Sequence, residues 1–220
     1  MMVQSLDVLI TGGTGYVGRQ LIAELLARGH RVRALTRPSS VHRVPVGASA
    51  IAGDALNADL VAAAVKPGDS IVHLVGTPHP SPAKAKEFQQ VDLPSIRATV
   101  TAAQRTKIAH LIYVSVAQPA PVMRAYLDVR AAGEALIRQA QLTATILRPW
   151  YILGPGHRWP VALIPIYKIM ELFPPTRASA QRLGLVTLHQ MVQALVRAME
   201  HPPPRDTIRI VDVPGIRSAG

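Results

Sequence analysis

Residues 8–18 read VLITGGTGYVG, a short apolar run followed by a turn with glycines three residues apart, and an amphipathic segment begins directly after the turn. A helix that starts at such a turn directs its free N–H groups and the positive end of its dipole toward a bound anion. Gly12 permits the tight turn, Gly15 lets the backbone approach a diphosphate, and Gly18 lets the helix pack on the strand. A glycine triplet alone also fits an ordinary turn, but these flanks match a dinucleotide site. The cofactor contacts predicted here are Gly12, Thr14, Gly15, Tyr16, Val17 and Gly18.

Composition limits the remaining possibilities. The chain has 220 residues, of which 49% are hydrophobic and 17% charged, as expected for one globular α/β domain. It has no cysteine, which excludes disulfides and thiolate metal sites. The eight histidines are scattered without metal-site spacing, so we predict no bound metal. The first residues lead directly into a strand and no apolar run is long enough for a bilayer span, so we expect a cytoplasmic protein.

The net charge of +11 raises the question of a nucleic-acid partner. The basic residues are spread singly along the chain, and aromatic residues make up only 4% of it, which is poor for base stacking. We therefore expect no specific nucleic-acid binding. The charge is interpreted as solubility and as attraction for an anionic cofactor or a small-molecule substrate.

Strand and helix patterns alternate along the whole chain. Apolar runs predict strands at 7–11, 31–36, 48–52, 70–75, 110–115, 143–147 and 207–213. Helical patterns cover 16–28, 57–65, 83–106, 125–140 and 188–200, with Asn57 as a cap, Gly29 as a terminator and Pro94 as a kink. This alternation predicts a Rossmann-type, doubly wound parallel sheet covered by helices on both faces.

The segment 149–183 is predicted to be an insertion or lid on the substrate side of a single domain, 1–220. It is rich in proline and contains an apolar stretch at 161–173, which either forms a wall for an apolar ligand or packs on the body or on a second subunit. His157, Arg158 and Trp159 either recognise an anionic or planar substrate or lie on the surface.

The order of motifs resembles the short-chain dehydrogenase/reductase superfamily over most of the chain. TGGTGYVG has the TGxxGxxG spacing of its extended and atypical branches, and the short length favours an atypical or reduced epimerase/dehydratase-like member. Four later segments fall where that family places corresponding ones: Gly53-Asp54-Ala55, Leu74-Val75-Gly76, Tyr113-Val114-Ser115 and Leu147-Arg148-Pro149.

The resemblance implies further cofactor contacts. Asp54 and Ala55 would contact the adenine, the segment Leu74, Val75 and Gly76 would line the adenosine ribose, and Pro149, Tyr151 and Ile152 would run beside the nicotinamide. Asp54 is alternatively an N-terminal loop or cap residue, and Tyr151 and Ile152 are alternatively core residues. The family also forms dimers through its long helices, so a homodimer is an expectation of the same kind.

The residues after the second strand favour NADP(H) over NAD(H). An NAD site usually has an acidic residue there to bind the ribose 2′-hydroxyl, whereas residues 35–40 read LTRPSS. The paired donors of Arg37 and the nearby hydroxyls suit a 2′-phosphate. The alternative is that Arg37 is a solvated loop residue.

The catalytic motif of the family, YxxxK, corresponds here to YLDVR at residues 126–130. Tyr126 matches, while Arg130 replaces the lysine that would hold the nicotinamide ribose and support the phenolate. Arginine keeps the charge but is not interchangeable with lysine. Ser115 would orient the substrate oxygen, or bond to backbone at the strand end, and Tyr126 is either catalytic or a packed or cofactor-contacting aromatic. Ser115, Tyr126 and Arg130 would all lie near the nicotinamide and contact the cofactor.

Two functions follow from this pattern. The first is an NADP(H)-dependent oxidoreductase or epimerase/dehydratase-like enzyme that acts on a carbonyl or alcohol of a small molecule. The second is a non-catalytic NADP(H)-binding protein, either a redox-sensing regulator or an assembly partner.

Overall fold

The computed structural model describes residues 5–120, 122–155 and 183–220. Its strands are β1 (Asp7–Thr11), β2 (Arg31–Thr36), β3 (Ser49–Ala52), β4 (Ser70–His73), β5 (His110–Val114), β6 (Ala144–Leu147), β7 (Tyr151–Leu153), β8 (Leu185–Thr187) and β9 (Ile208–Val211). Within the described residues, seven of them form a parallel sheet in the order β3-β2-β1-β4-β5-β6-β9. β7 and β8 pair with each other. The strand order reverses between β1 and β4, and a crevice at the carboxyl ends of these strands is where such folds bind ligands.

Helices cover both faces of this sheet. They are α1 (Tyr16–Ala27), α2 (Ala58–Ala64), α3 (Leu93–Thr106), α4 (Arg124–Gln139), α5 (Leu188–Glu200) and α6 (Val213–Arg217). One apolar core contains Leu21 of α1 and Leu195 of α5. The other contains Val61 of α2, Ile96 of α3 and Ile137 of α4. The predicted Rossmann-type sheet is therefore confirmed.

Local signals account for the helix boundaries. Gly29 ends α1 with φ +83°, and the amides of Gly29 and His30 donate to the carbonyls of Leu26 and Leu25, a pattern that favours glycine. The Asn57 side chain accepts hydrogen bonds from the first amides of α2, as predicted.

The region 82–106 differs from the single kinked helix that its pattern predicts. It consists of a 3₁₀ turn (Pro82–Lys84), a short α-helical turn (Ala85–Glu87), a π-helical turn (Phe88–Asp92) and then α3. Pro94 follows the π-helical turn by two residues, in a helical run that continues from residue 85 to 106. A proline inside a helix removes a hydrogen bond and its ring clashes with the carbonyl four residues earlier, here residue 90. The irregularity therefore lies just before the proline, at the kink that the sequence predicts.

Residues 156–182 contain the predicted apolar wall at 161–173 and the residues His157, Arg158 and Trp159, so these predictions lie outside the described residues. Across the described ranges, none of the helices has the length and apolar content that a membrane crossing requires.

Candidate functional site: a dinucleotide crevice with a Tyr–Arg pair

The glycine-rich turn between β1 and α1 lies directly against the end of β4. Gly12 has φ +79°, and a Cβ on it would lie 2.7 Å from the carbonyl carbon of Leu74. A Cβ on Gly18 would lie 2.5 Å from the Gly12 oxygen. Both contacts are with backbone atoms, so neither position has room for a side chain.

The amino end of α1 has the features of an anion site. Gly15 is exposed at the N-cap, no side chain caps the helix, and its first turn carries no acidic residue. The helical bonding begins with the Arg19 amide donating to the Gly15 carbonyl, at 3.1 Å. The amides of residues 16–18 therefore have no acceptor within the helix. A diphosphate fits this end of the helix in charge and in space.

Two residues of this helix start turn inward. Val17 packs against the core beneath α1. The Tyr16 ring reaches the chain after β7, since a Cβ on Gly154 would lie 1.8 Å from its hydroxyl oxygen. Burial raises the pKa of Tyr16 above its ordinary value. Thr14 is half-buried in the turn itself.

The two predicted adenosine segments lie at the carboxyl ends of their strands. The Leu74 amide donates to the Thr11 carbonyl at 2.9 Å, and the Gly53 amide donates to the Thr36 carbonyl at 2.8 Å. Asp54 is exposed, and its Oδ1 accepts a hydrogen bond of 3.0 Å from the Leu56 amide. This bond closes a turn in the loop before α2, and the N-cap of α2 is Asn57, so Asp54 is a loop residue and not the cap. Its contact with adenine stays a prediction, as do the adenosine contacts of Ala55, Leu74, Val75 and Gly76.

Arg37 follows β2 directly and is exposed. It precedes a 3₁₀ turn, Pro38–Arg43, that has no acidic residue in its first turn. Among the described residues, no hydrogen bond or ion pair holds its guanidinium. The side chain is therefore accessible to a ligand phosphate from this end of the sheet.

The structure brings Tyr126 and Arg130 together on α4. The guanidinium carbon of Arg130 lies 5.0 Å from the centroid of the Tyr126 ring. The buried Phe88 ring lies 5.0 Å from the same centroid, tilted by 57°. Tyr126 itself is half-buried, so its ring is fixed while part of it faces solvent.

Arg130 is 6% exposed and lies under the site. Its Nη2 donates to Asp92 Oδ1 at 2.8 Å and its Nη1 to the Val114 carbonyl at 3.1 Å. Burial lowers the pKa of Arg130, but Tyr126, Tyr113 and Asp92 outweigh this effect and the net pKa is raised. The buried Nε has no hydrogen-bond partner in the described part of the chain.

Ser115 is 2% exposed, and its hydroxyl donates to Glu134 Oε1 at 2.8 Å. The expected alternative was a bond to backbone, so the observed partner is a different one, the carboxylate of a helix. Glu134 also accepts hydrogen bonds from three other side chains: Gln118, Arg138 and Arg148. To orient a substrate, the Ser115 oxygen would have to accept a hydrogen bond from a substrate hydroxyl, or its O–H would have to donate to the substrate oxygen in place of Glu134.

The predicted nicotinamide segment follows β6. Pro149 is buried and its carbonyl accepts from the Ala117 amide at 2.9 Å. Tyr151 and Ile152 are half-buried in β7, opposite Leu185 and Val186 of β8. Ile152 packs against the core, so both predicted interpretations stay open for this pair.

The sequence reasoning did not identify Phe88, Asp92 and Glu134, although each contacts a predicted catalytic residue. All three are at most 2% exposed. Asp92 and Glu134 are acidic residues within buried helical faces, and an acid in such a position is rarely left without a cationic partner. The acidic residues on these apolar faces were therefore a usable signal for a buried ion pair, but they do not show which cationic residue is the partner.

The buried imidazole of His73, at the end of β4, connects β1 to α3. The Nδ1 of His73 lies 3.0 Å from the hydroxyls of both Thr11 and Thr99, and its Nε2 lies 3.3 Å from that of Ser95. Burial lowers the pKa of His73 to about 3, with a smaller effect from Arg130. His73 is therefore a neutral structural residue.

The fold and the crevice define a Rossmann-type dinucleotide-binding protein. The profile of the NAD(P)H-binding family matches residues 12–158, and the chain belongs to that family. Among solved structures, a short-chain dehydrogenase/reductase protein from Agrobacterium tumefaciens with bound NAD superposes with a TM-score of 0.67. It is 18% identical, and the match covers 96% of this chain and 81% of that one.

Curated relatives carry different functional names. The chain is 26% identical to the ceramide reductase of Caulobacter vibrioides over 216 residues, which cover 97% of this chain and 66% of that protein. It is 27% identical to the photosystem II assembly factor Ycf39 of Cyanophora paradoxa over 150 residues, which cover 65% of this chain and 44% of that protein. The chain thus spans just under two thirds of the first and less than half of the second.

Proposed function

We propose that this chain is an NADP(H)-dependent oxidoreductase, or an epimerase/dehydratase-like enzyme, that acts on a carbonyl or alcohol group of a small molecule. The observation that supports this most is the half-exposed Tyr126 ring with the fixed Arg130 cation 5.0 Å from its centre. A phenol that is accessible on one side and close to a permanent positive charge is suited to donate or accept a proton.

The residues present fit the cofactor. The turn at Gly12 to Gly18 and the first amides of α1 would hold the diphosphate, and Arg37 the 2′-phosphate. Arg130, whose side chain is 8% exposed, would hold a ribose hydroxyl. When bound, the nicotinamide supplies or accepts the hydride. Tyr126 then delivers a proton to the substrate oxygen in reduction, or removes it in oxidation, while the charge of Arg130 stabilises the phenolate.

The ceramide reductase similarity favours an apolar carbonyl substrate. We also expect a cytoplasmic protein, and a homodimer through α3 and α4. An assay of NADPH absorbance against a panel of ketones and aldehydes, long-chain ketones included, tests the proposed reaction directly.

Replacement of Tyr126 by phenylalanine is the decisive variant. We expect kcat to fall by roughly 100-fold or more, since general acid–base groups contribute on this scale, while the Kd for NADPH changes by less than about threefold. Asp128, which is exposed on the same helix, provides the control: Asp128→Asn should retain activity. An active Tyr126→Phe enzyme would rule out this residue as the proton donor.

Arg37→Ala tests the cofactor preference. We expect the Kd for NADPH to rise by roughly 10-fold or more, because hydrogen bonds between charged groups contribute about 1.5–3 kcal/mol, and the Kd for NADH to stay unchanged. Arg43→Ala is a matched control, since Arg43 is exposed at the far end of the same 3₁₀ turn. Equal losses for both nucleotides would reject the assigned role.

A non-catalytic NADP(H)-binding protein is the second candidate. One contact favours it: the Ser115 hydroxyl, which the enzyme would need for the substrate oxygen, donates to Glu134. The similarity to an assembly factor points the same way. Tight NADPH binding without turnover of any compound in the panel would support this candidate over the enzyme.

A further inference from the structure

Asp92, at the end of the π-helical turn, is 2% exposed and uses both carboxylate oxygens. Its Oδ2 accepts hydrogen bonds from the Thr77 amide at 2.9 Å and the Thr77 hydroxyl at 2.7 Å. Its Oδ1 accepts from Arg130 Nη2 at 2.8 Å. A buried carboxylate with three donors has a fixed orientation. The two hydrogen bonds from Thr77 therefore fix the position of Oδ1, the oxygen that accepts from Arg130.

The space for the Arg130 head group is equally specific. A Cβ on Gly76 would lie 2.3 Å from Arg130 Nη2, so the guanidinium occupies the volume that a side chain at 76 would take. On the other side, Nη1 donates to the Val114 carbonyl. We call Gly76, Asp92 and the Val114 carbonyl the guanidinium socket. Arginine is planar and has several donors, and these three groups match that shape.

The same π-helical turn also reaches the ring of Tyr126. Phe88 begins the turn and Asp92 ends it. Phe88 contacts the Tyr126 ring, and Asp92 holds the guanidinium that lies 5.0 Å from the centre of that ring. One segment thus fixes both the aromatic and the cationic neighbour of Tyr126. π-helical turns are often found at functional sites.

We propose that Asp92 is a positioning residue that, together with Gly76, holds Arg130 against Tyr126, so that arginine can take the place of lysine in this site. This inference rests on the proposed function for its effect on turnover. Asp92 itself acts through Arg130 and needs no contact with substrate.

The test compares Asp92→Asn with wild type in three measurements. We expect kcat to fall by roughly 10- to 100-fold, the loss that small misplacements of reacting groups cause, and the Kd for NADPH to change by less than about threefold. The ring resonances of Tyr126, assigned by their loss in Tyr126→Phe in a tyrosine-labelled sample, should shift. In an Arg130→Met background, Asp92→Asn should lower kcat no further.

Asp69→Asn is the matched control. Asp69 is 1% exposed and pairs with Arg33, but it lies at the amino end of β4, whereas the site lies at the carboxyl ends of the strands. This variant should lower the melting temperature but leave kcat and the Tyr126 resonances unchanged. If Asp92→Asn does not fold, Thr77→Val removes one of its donors and should shift the same resonances by a smaller amount.

The outcomes separate the two proposals. Absence of turnover in the wild-type protein would reject the proposed function, while the tyrosine resonances would still test Asp92. Unshifted Tyr126 resonances in both Asp92→Asn and Thr77→Val would overturn the positioning role. So would a kcat that falls equally in Asp92→Asn and in Asp69→Asn, because a general loss of structure would then explain it.

Discussion

Gly12→Ala is expected to abolish measurable binding of NADPH and NADH and to lower the free energy of unfolding by about 3 kcal/mol. Two effects combine at this residue. Its φ of +79° costs any other L-residue about 1–2 kcal/mol, and a Cβ would lie 2.7 Å from the carbonyl carbon of Leu74. Because the Cβ position is fixed by the backbone of residue 12 and its neighbours are backbone atoms of Leu74 and Val75, the turn and the end of β4 have to separate. Nucleotide titration and urea unfolding measure the two losses.

Gly29→Ala separates the cost of the positive φ from the cost of the steric contact between a Cβ at residue 12 and the Leu74 backbone. Gly29 has a similar φ of +83°, but a Cβ there would have no atom within 4 Å among the described residues. This variant should lose only about 1–2 kcal/mol of stability and bind both nucleotides normally. If Gly12→Ala behaved like Gly29→Ala, the glycine-rich turn would not form the proposed diphosphate site.

The elements that position this crevice could be predicted from the sequence because their signals are local. The strands β1 and β2 have the predicted bounds, and α1 ends one residue before its predicted end. Each apolar run is bounded by a glycine or a polar turn, which fixes the limits of the strand or helix. β4 is shorter than predicted because residues 74–76 leave the strand ladder beside the glycine-rich turn.

The interior of the candidate site was less predictable because its partners are distant in sequence. Asp92 pairs with Arg130, 38 residues away, and Ser115 bonds to Glu134, 19 residues away. Helical periodicity assigns a face to each side chain but gives no information on which residue from another element meets it. The YxxxR pattern indicated a departure from lysine, and only the geometry shows the socket that accommodates the arginine.

The π-helical turn could be predicted in position but not in type. The proline at 94 predicts a kink or break, and the π-helical turn Phe88–Asp92 contains residue 90, whose carbonyl the proline ring would meet. Nothing in residues 88–92 alone distinguishes a π turn from another kind of kink.

The second large effect is expected for Glu134→Gln, which should lower the free energy of unfolding by about 3 kcal/mol at pH 7. Glu134 is 1% exposed, and its Oε2 lies 2.5 Å from the Nη2 of Arg148 and 2.9 Å from that of Arg138. The amide keeps the size and part of the hydrogen bonding, but it leaves Arg148, whose side chain is 22% exposed, without its counter-charge. Arg138 is 46% exposed, so solvent screens its charge and it contributes little to the loss. Urea unfolding of both proteins measures the difference.

Its pH dependence gives the prediction a second test. Burial raises the pKa of Glu134, but hydrogen bonds from Arg148 and Ser115 outweigh burial and hold it below the ordinary value of 4.5. A carboxyl whose pKa is lowered by folding stabilises the protein above its unfolded-state pKa, and this contribution disappears as the pH falls through the folded-state value. The stability difference between wild type and Glu134→Gln should therefore be constant from pH 7 to about 5 and decrease below 4.5.

Glu24→Gln is the matched control for both measurements. Glu24 also pairs with an arginine four residues away, Arg28, but the two side chains are 32% and 36% exposed. Solvent screens such a pair, and its loss should cost at most about 1 kcal/mol. A Glu134→Gln variant as stable as Glu24→Gln would mean that solvent reaches the Glu134 carboxylate. The hydrogen bond from the Ser115 hydroxyl to Glu134 would then be weak enough for a substrate oxygen to replace Glu134 as the acceptor.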